Sequence, residues 1–341
     1  MSTLKAINLQ HPSATNPAIV LAADGSAAGN FSSSNGGPLA GFRNAIINGN
    51  FDIWQRGTSF TASDYGADRW VNLATGSTCT MSRQAFALGQ TAVPGEPTYF
   101  CRMAVSSVAG AGNLSALNQR IESVRTFAGQ QITTSFWIKA DATKNIAVEL
   151  VQNFGGGGLP SPEVTGIGSL KVSIGTSWQK VTVTATLPSI STKVLGTSDN
   201  SVVGLLIWFD AGSNFNARTD SLGQQSGTFD IAQVQLEPGP VATPFERRPI
   251  GTELALCQRY YETGIGRIAG RGFNGEGNAN AVYFKATKRV VPTLTYAIGT
   301  ALNVVVYDIR NAAVSGAEWF AQTGSDTGYV WTGTWTASAE L

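Results

Sequence analysis

The sequence predicts an all-β protein, and three observations carry that prediction. Val, Ile, Phe, Tyr, Trp and Thr fall in many short runs that alternate along one residue in two. Glycine is abundant, 39 in 341 residues, and it punctuates those runs as turn residues do. Only one stretch, after Gly251, has the 3.6-residue apolar spacing of a helix.

Residues 1–41 are rich in Ala, Ser, Asn, Gly and Pro, so they cannot build a core of their own. Ile19 to Gly25 reads as a small strand and turn, and order in such a segment requires a partner. From Phe42 the pattern changes to ten short strands: Ala45–Ile47, Phe51–Trp54, Trp70–Leu73, Cys79–Ser82, Tyr99–Val105, Ile132–Lys139, Ile146–Val151, Val181–Leu187, Val202–Phe209 and Thr228–Leu236. Ten runs suffice for a two-sheet sandwich of the jelly-roll type. Alternation turns Phe136 and Ile138 inward with Trp137 and Lys139 outward, and Val181 and Val183 inward with Thr182 and Thr184 outward. Leu205–Phe209 is apolar on both faces, which places it centrally or under another object. Gly155–Gly158 lacks the Lys-Ser/Thr ending of a phosphate loop.

The stretch from Gly227 to Glu262 is the hinge. Phe229, Ile231, Val234 and Leu236 are spaced for a strand with a slip near Ala232, and Glu237-Pro238-Gly239-Pro240 ends it. Thr243-Pro244-Phe245-Glu246 has the form of a capping box, with Pro249 stopping the turn. A helix then runs to about Glu262. Leu254, Cys257 and Tyr261 form one stripe on it, and Leu256 and Tyr260 a second. A helix apolar on two sides needs two covers, the sandwich on one and either a second chain or the C-terminal domain on the other. Leu254, Leu256, Tyr260 and Tyr261 are therefore candidate interface residues. Beyond a turn-rich link, Arg267 to Asn280, strands resume at 281–285, 293–296, 302–308, 318–321, 328–331 and 334–336. The chain divides into an N-terminal segment (1–41), the sandwich (42–248), a linker helix (249–263) and a smaller β domain (264–341). No internal repeat is present, which disfavours a β-helix.

A net charge of +1 without a Lys/Arg cluster gives no footprint for nucleic acid or an anionic membrane. Cys79, Cys101 and Cys257 are odd in number and irregularly spaced, so they read as small apolar residues. The N-terminus lacks the apolar region of a signal peptide. The lone histidine, His11, lies outside the sandwich, which removes Ser-His-Asp and Cys-His sites there. Glu149, Asp210 and Glu163 remain as carboxylates, with surface charge as the bland reading. Trp137 with Lys139, and Trp208 with Asp210, each put a ring and a charge on one strand face, the chemistry of glycan recognition. Packing beneath a loop or a subunit is the competing reading. In the last domain Phe273, Tyr283, Trp319, Phe320, Tyr329, Trp331 and Trp335 are dense for its size. Tyr329, Trp331 and Trp335 form either a stacking platform for sugars or the core of a small tip.

The motifs Asn48-Gly-Asn-Phe-Asp-Ile-Trp-Gln-Arg-Gly57, Ala67-Asp-Arg-Trp70, Gln119-Arg-Ile-Glu122, Ser135-Phe-Trp137, Ala232-Gln-Val-Gln-Leu-Glu-Pro-Gly239, Thr243-Pro-Phe-Glu246 and Glu253-Leu-Ala-Leu-Cys-Gln-Arg-Tyr-Tyr261 carry a resemblance. Across Asn44 to Glu262 the chain resembles phage tail-fibre and related virion receptor-binding proteins. The resemblance implies a jelly roll similar to carbohydrate-binding modules and a non-enzymatic attachment role on the virion tail, for a protein made in the host cytoplasm without a signal peptide. It also implies a homotrimer with Thr252 to Glu262 near its axis, residues 1–41 docked on another tail or virion protein, and a host surface glycan or receptor met mainly by residues 264–341. A glycan-depolymerising tail spike and a head decoration protein are the alternatives. Modules of this kind often hold a structural calcium with aspartates on the closing strand. Here Ala232-Gln233 stand in their place, which disfavours the ion and leaves Asp52 and Asp230 as its candidate ligands. No cofactor is implied. Trp54 and Trp70 are structural in this reading, and Arg69 stacks or pairs internally.

Overall fold

The computed structural model describes residues 42–341 and, before them, only the backbone of three short paired strands, β1 (Asn8–Leu9), β2 (Ile19–Leu21) and β3 (Ala27–Gly29). His11 lies outside the described residues, as does the docking role expected of residues 1–41. The fold is all-β. The first domain holds β4 (Ser59–Phe60), β5 (Trp70–Thr75), β6 (Thr78–Ala85), β7 (Tyr99–Ser106), β8 (Leu114–Glu122), β9 (Gln131–Ala140), β10 (Lys144–Asn153), β11 (Val164–Ile174), β12 (Gln179–Thr186), β13 (Val202–Ala211) and β14 (Gly227–Pro238). A one-turn helix, α1 (Asn216–Thr219), sits between the last two. The strands form a five-stranded sheet, β11-β10-β13-β8-β5, facing a six-stranded one, β12-β9-β14-β7-β6-β4.

Period-two alternation fills the space between the sheets. Val203, Leu205, Ile207 and Phe209 of β13 meet Phe136 and Ile138 of β9, Val181 and Val183 of β12, and Phe229, Ile231, Val234 and Leu236 of β14 in one buried core. Phe209 and Phe229 touch across it with ring centroids 4.8 Å apart. The slip expected near Ala232 is a β-bulge: the register with β9 shifts between Ala232 and Gln235, and Gln233 takes φ +50°. That one extra residue keeps Val234 and Leu236 on the inner face. Gly49 packs against the bulge, its carbonyl accepting from Val234 N at 2.8 Å, and a Cβ on Gly49 would stand 2.1 Å from the Val234 oxygen. β13 is central and buried along its whole length.

Several expected elements differ. Ala45–Ile47 and Phe51–Trp54 are irregular, because side-chain amides satisfy their backbone in place of a ladder. Asn44 Oδ1 accepts from Ile46 N and Leu236 N, while Asn48 donates to Ile53 O and Asp68 O and accepts from Ile53 N. β8 and β11 were not expected as strands, since one has three consecutive polar residues, Asn118 to Arg120, in place of alternation and the other carries two glycines. No helical turn forms at Thr243–Glu246. Thr243 bonds Glu237, and the Glu246 carboxylate accepts from Arg43 N and Asn44 N. The helix α2 (Ile250–Gln258) stops short of Glu262, because Tyr261 already begins β15 (Tyr261–Arg271). None of the described helices is long and apolar enough to cross a membrane.

β15 continues into the second domain with β16 (Gly277–Tyr283), β17 (Thr293–Leu302), β18 (Val304–Ala313), β19 (Gly316–Thr323) and β20 (Gly328–Ser338). They make two three-stranded sheets, β15-β20-β17 and β16-β19-β18. Where two strands were expected between 328 and 336, β20 runs through Gly333 unbroken. The core between the sheets is aromatic, with Trp319 and Trp331 stacked at 3.9 Å. Gly264 and Gly266 of β15 make room for it: a Cβ at either would lie 2.4 Å from the Trp335 or Trp319 ring.

The two domains meet at a junction built on arginines. Arg69 lies 3.5 Å over the Tyr260 ring and pairs with Glu340; Arg56 lies 3.5 Å over the Tyr261 ring and pairs with Glu340 at 2.9 Å. The Tyr260 hydroxyl donates to Glu122 at 2.7 Å, and Arg259 pairs with Glu122 at 3.0 Å. Burial above all pushes the Tyr260 phenol up to about 12, so it stays a donor at neutral pH. The Leu341 carbonyl accepts from Tyr65 and Arg120. Tyr260 and Tyr261, one from each expected helical stripe, are both covered by arginines of the sandwich, Arg69 and Arg56. Leu254 and Leu256 remain half-buried.

Candidate functional site

None of the five rings named as sugar-binding candidates, Trp137, Trp208, Tyr329, Trp331 and Trp335, stands free on the surface, though Phe273 and Tyr283 are exposed. Trp137 projects from the outer face of β9, as alternation requires, but packs with Val93, Phe100, Phe86 and Trp178 beneath the loop that joins β6 to β7. Lys139 beside it pairs with Asp230 at 3.5 Å. Trp208 is 1% exposed, sealed by Phe215 at 5.3 Å and by Arg218, and its indole donates to Glu149 at 3.1 Å. Asp210 is fully buried and accepts from Ser77 and Ser107 hydroxyls and from Gln225 N. Tyr329, Trp331 and Trp335 belong to the core of the small domain, so the stacking platform gives way to the core alternative. A domain of this size needs its large rings inside.

The carboxylates are likewise committed. Glu149 is fully buried against Arg218 at 2.5 Å and also accepts from Gly166 N. Glu163 accepts from Asn153 at 3.1 Å. Asp230 holds Arg102 at 2.7 Å as well as Lys139, and burial pushes the Asp52 carboxyl up despite the Asn50 bond and the Arg247 charge. Asp230 therefore has both cations in place of calcium, and Asp52 stands apart from it with Asn50 at 2.9 Å. Among the described residues no cluster of three His, Cys, Asp or Glu could hold a metal ion.

What the sandwich does offer is a groove of about 350 Å³ on the outer face of the five-stranded sheet. β13 sends Val202, Gly204, Leu206 and Trp208 to that face, and Gly204 leaves its middle low. Val151, Leu206 and Asn118 atoms stand 3.6 to 3.8 Å from where a Gly204 Cβ would be, ordinary contact distances that a side chain there would meet without a clash. Asn118 of β8 is 8% exposed and its Oδ1 has no hydrogen-bond partner. Arg120, Asn153, Glu163, Asn200 and Arg218 line the groove, and Leu341 closes one end. Apolar Leu73, Val151 and Leu206 lie among these amides and charges. That mixture can hold the C–H surface of a pyranose while bonding adjacent hydroxyls. A larger cleft, about 650 Å³, lies beside the hinge, but its charged groups hold the connector itself: Glu246 as above, and Glu253 with Arg248 at 3.2 Å.

The groove residues escaped the sequence reading because aromatic rings were the signal sought. A usable signal was present: Gly204 interrupts an apolar run, and Asn118 and Arg120 stand two apart, on one face of their strand.

No family model matches the chain, and no curated protein matches it. Solved structures do. A family 4 carbohydrate-binding module ("CBM4") is 20% identical, with 57% of this chain and 99% of that one covered and a TM-score of 0.32. A family 11 carbohydrate-binding module from Clostridium thermocellum, solved with a β-1,3-1,4-mixed-linked tetrasaccharide, is 8% identical over 55% of this chain and 98% of that one, TM-score 0.33. The enzymatically active domain of tailspike protein 4 of bacteriophage CBA120 is 11% identical over 57% of this chain and 21% of that one, TM-score 0.30.

Proposed function

We propose that this chain is a phage tail-fibre protein that attaches to the host surface by binding an envelope glycan, without cleaving it. The observation that carries the glycan reading is the groove over Gly204, where an unpartnered amide oxygen and a polar wall adjoin apolar floor residues. The tail assignment rests on the sequence motifs from Asn48 to Tyr261. A non-catalytic role is supported by Glu149 and Asp210, whose oxygens are buried and held by Arg218, Ser77, Ser107 and backbone amides, leaving no acid–base pair across the groove. In this reading the chain acts as a homotrimer on the virion tail, with residues 1–41 joined to another tail protein.

The test is calorimetric titration of the full chain with purified host envelope polysaccharide, beside an assay for released reducing ends. Gly204→Leu fills the floor and Asn118→Ala removes the amide; each is expected to weaken binding tenfold or more, about 1.4 kcal/mol, with unchanged melting. Equal affinity in Gly204→Leu would remove the site from the groove. Reducing ends released by the native protein would overturn the non-catalytic reading.

A further inference from the structure

We infer that the cleft beside the hinge is a second ligand site, one that takes a neutral pyranose by an adjacent pair of its hydroxyls. Its volume, about 650 Å³, lies within the roughly 300–1,000 Å³ of small-ligand sites. Three segments wall it: the irregular stretch 44–52, the connector 245–253, and Thr98 with Tyr99 where β7 begins. Hydrogen bonds fix the first two against each other, the Glu246 carboxylate accepting from Arg43 N and Asn44 N, and Arg248 donating to the Ile46 carbonyl at 3.1 Å. The gap between these walls is therefore set before a ligand arrives.

Glu246, Glu253 and Arg248 hold the connector, which leaves one charge uncommitted on each of those walls. On the irregular stretch Asp52 is half-buried; one carboxylate oxygen accepts from Asn50 at 2.9 Å, and the other has no partner in the chain and is not sealed from solvent. On the connector Arg247 is exposed, gives one N–H to the Gly95 carbonyl at 3.1 Å and forms no ion pair among the described residues. Burial pushes the Asp52 carboxyl up against the pull of the Asn50 bond and the Arg247 charge, so the two charges act on each other across the cleft without pairing. A free acceptor and a free donor bordering one opening suit a ligand that gives one hydrogen bond and takes another close by, as neighbouring hydroxyls of a sugar do. A ligand with a charge of its own would leave one of the two uncompensated. Beside them Phe245 and Tyr99 are half-buried and Ile250 is 60% exposed, apolar surface for the C–H face of the ring.

The site shares no residue with the groove over Gly204, so the two can fail separately. The full chain and its Gly204→Leu variant, whose groove is filled, are mixed in turn with methyl β-glucoside, methyl β-galactoside and methyl α-mannoside, and with glycine as a zwitterionic control. Saturation transfer from protein to ligand is followed by NMR. Transfer to at least one glycoside and none to glycine is expected, unchanged in Gly204→Leu. Asp52→Asn and Arg247→Ala are each expected to lower that affinity about tenfold, the loss of one charge-assisted hydrogen bond. Should Asp52→Asn fail to fold, Arg247→Ala and Ile250→Asp, both altering exposed side chains, carry the test. Transfer to none of the three glycosides, transfer to glycine as well, transfer lost in Gly204→Leu, or undiminished affinity in Arg247→Ala would overturn the proposal.

Discussion

Arg69 shows how much of this molecule hangs on one side chain. It is 1% exposed, takes φ +72°, lies on the Tyr260 ring, pairs with Glu340 and donates to the Arg120 carbonyl. Burial works against its charge, and Glu340 together with the neighbouring tyrosines more than restores it. Removing one partner of a buried pair leaves the other unpaired. Arg69→Ala is therefore expected to destabilise the protein by about 3–5 kcal/mol in urea unfolding. A loss below 1 kcal/mol would show that Glu340 finds another cation. That Arg69 pairs internally was legible from its place beside Trp70. Glu340 as the partner was not, because a contact across 271 positions leaves no local pattern. Trp208 fails for a related reason. Alternation gives its face correctly, but the cover supplied by Phe215 and Arg218 comes from a separate turn that no periodicity announces.

At the level of elements, glycine is the residue that misled. The link expected from Arg267 to Asn280 is in large part strand, since β15 reaches Arg271 and β16 begins at Gly277. Gly270 and Gly277, which read as turn formers there, serve instead as gaps beside the Tyr329 and Phe320 rings, as Gly264 and Gly266 do beside Trp335 and Trp319, a use that sequence cannot distinguish from a turn. A substitution separates the two. Gly266→Val puts side-chain atoms where the Trp319 ring lies, and is expected to cost about 1–3 kcal/mol and alter the near-ultraviolet circular dichroism. Gly251→Ala meets no atom within 4 Å and serves as the neutral control. Equal melting of the two variants would remove the packing role assigned to Gly266. By contrast β14 was readable down to its bulge, because four large apolar residues fix which side each half of the strand must face.

For the whole molecule, the trimer is the part of the proposal that the hinge bears on most directly. Tyr260 and Tyr261 are used within the chain, which leaves Leu254 and Leu256 on α2 for a neighbour. Exposed Ile298, Leu302, Val305 and Val306 along β17 and β18 add apolar surface that a second copy would cover. Light scattering of the intact chain is expected to give three times 35.7 kDa, with the trimer weakened in Leu256→Glu. A mass of one chain would reject it. That further strands follow the Pro/Gly-rich hinge was legible from the renewed alternating pattern. The location of the groove was not, since its residues come from four strands, α1, two loops and Leu341, which only the fold brings together.

The return of Glu340 and Leu341 to the sandwich has a mechanical meaning. β15 enters the second domain beside the point where β20 leaves it, Tyr261 facing Ser338, and both ends are fastened to the same body by Arg56, Arg69, Arg120 and Glu122. Tension applied at the far loops, near Arg271 and Gly328, runs down two strands in parallel instead of peeling one from the other. The domain is thus mounted as a bracket with two bolts rather than hung from a single cord, and a load at its far end would pass to the sandwich along both strands at once.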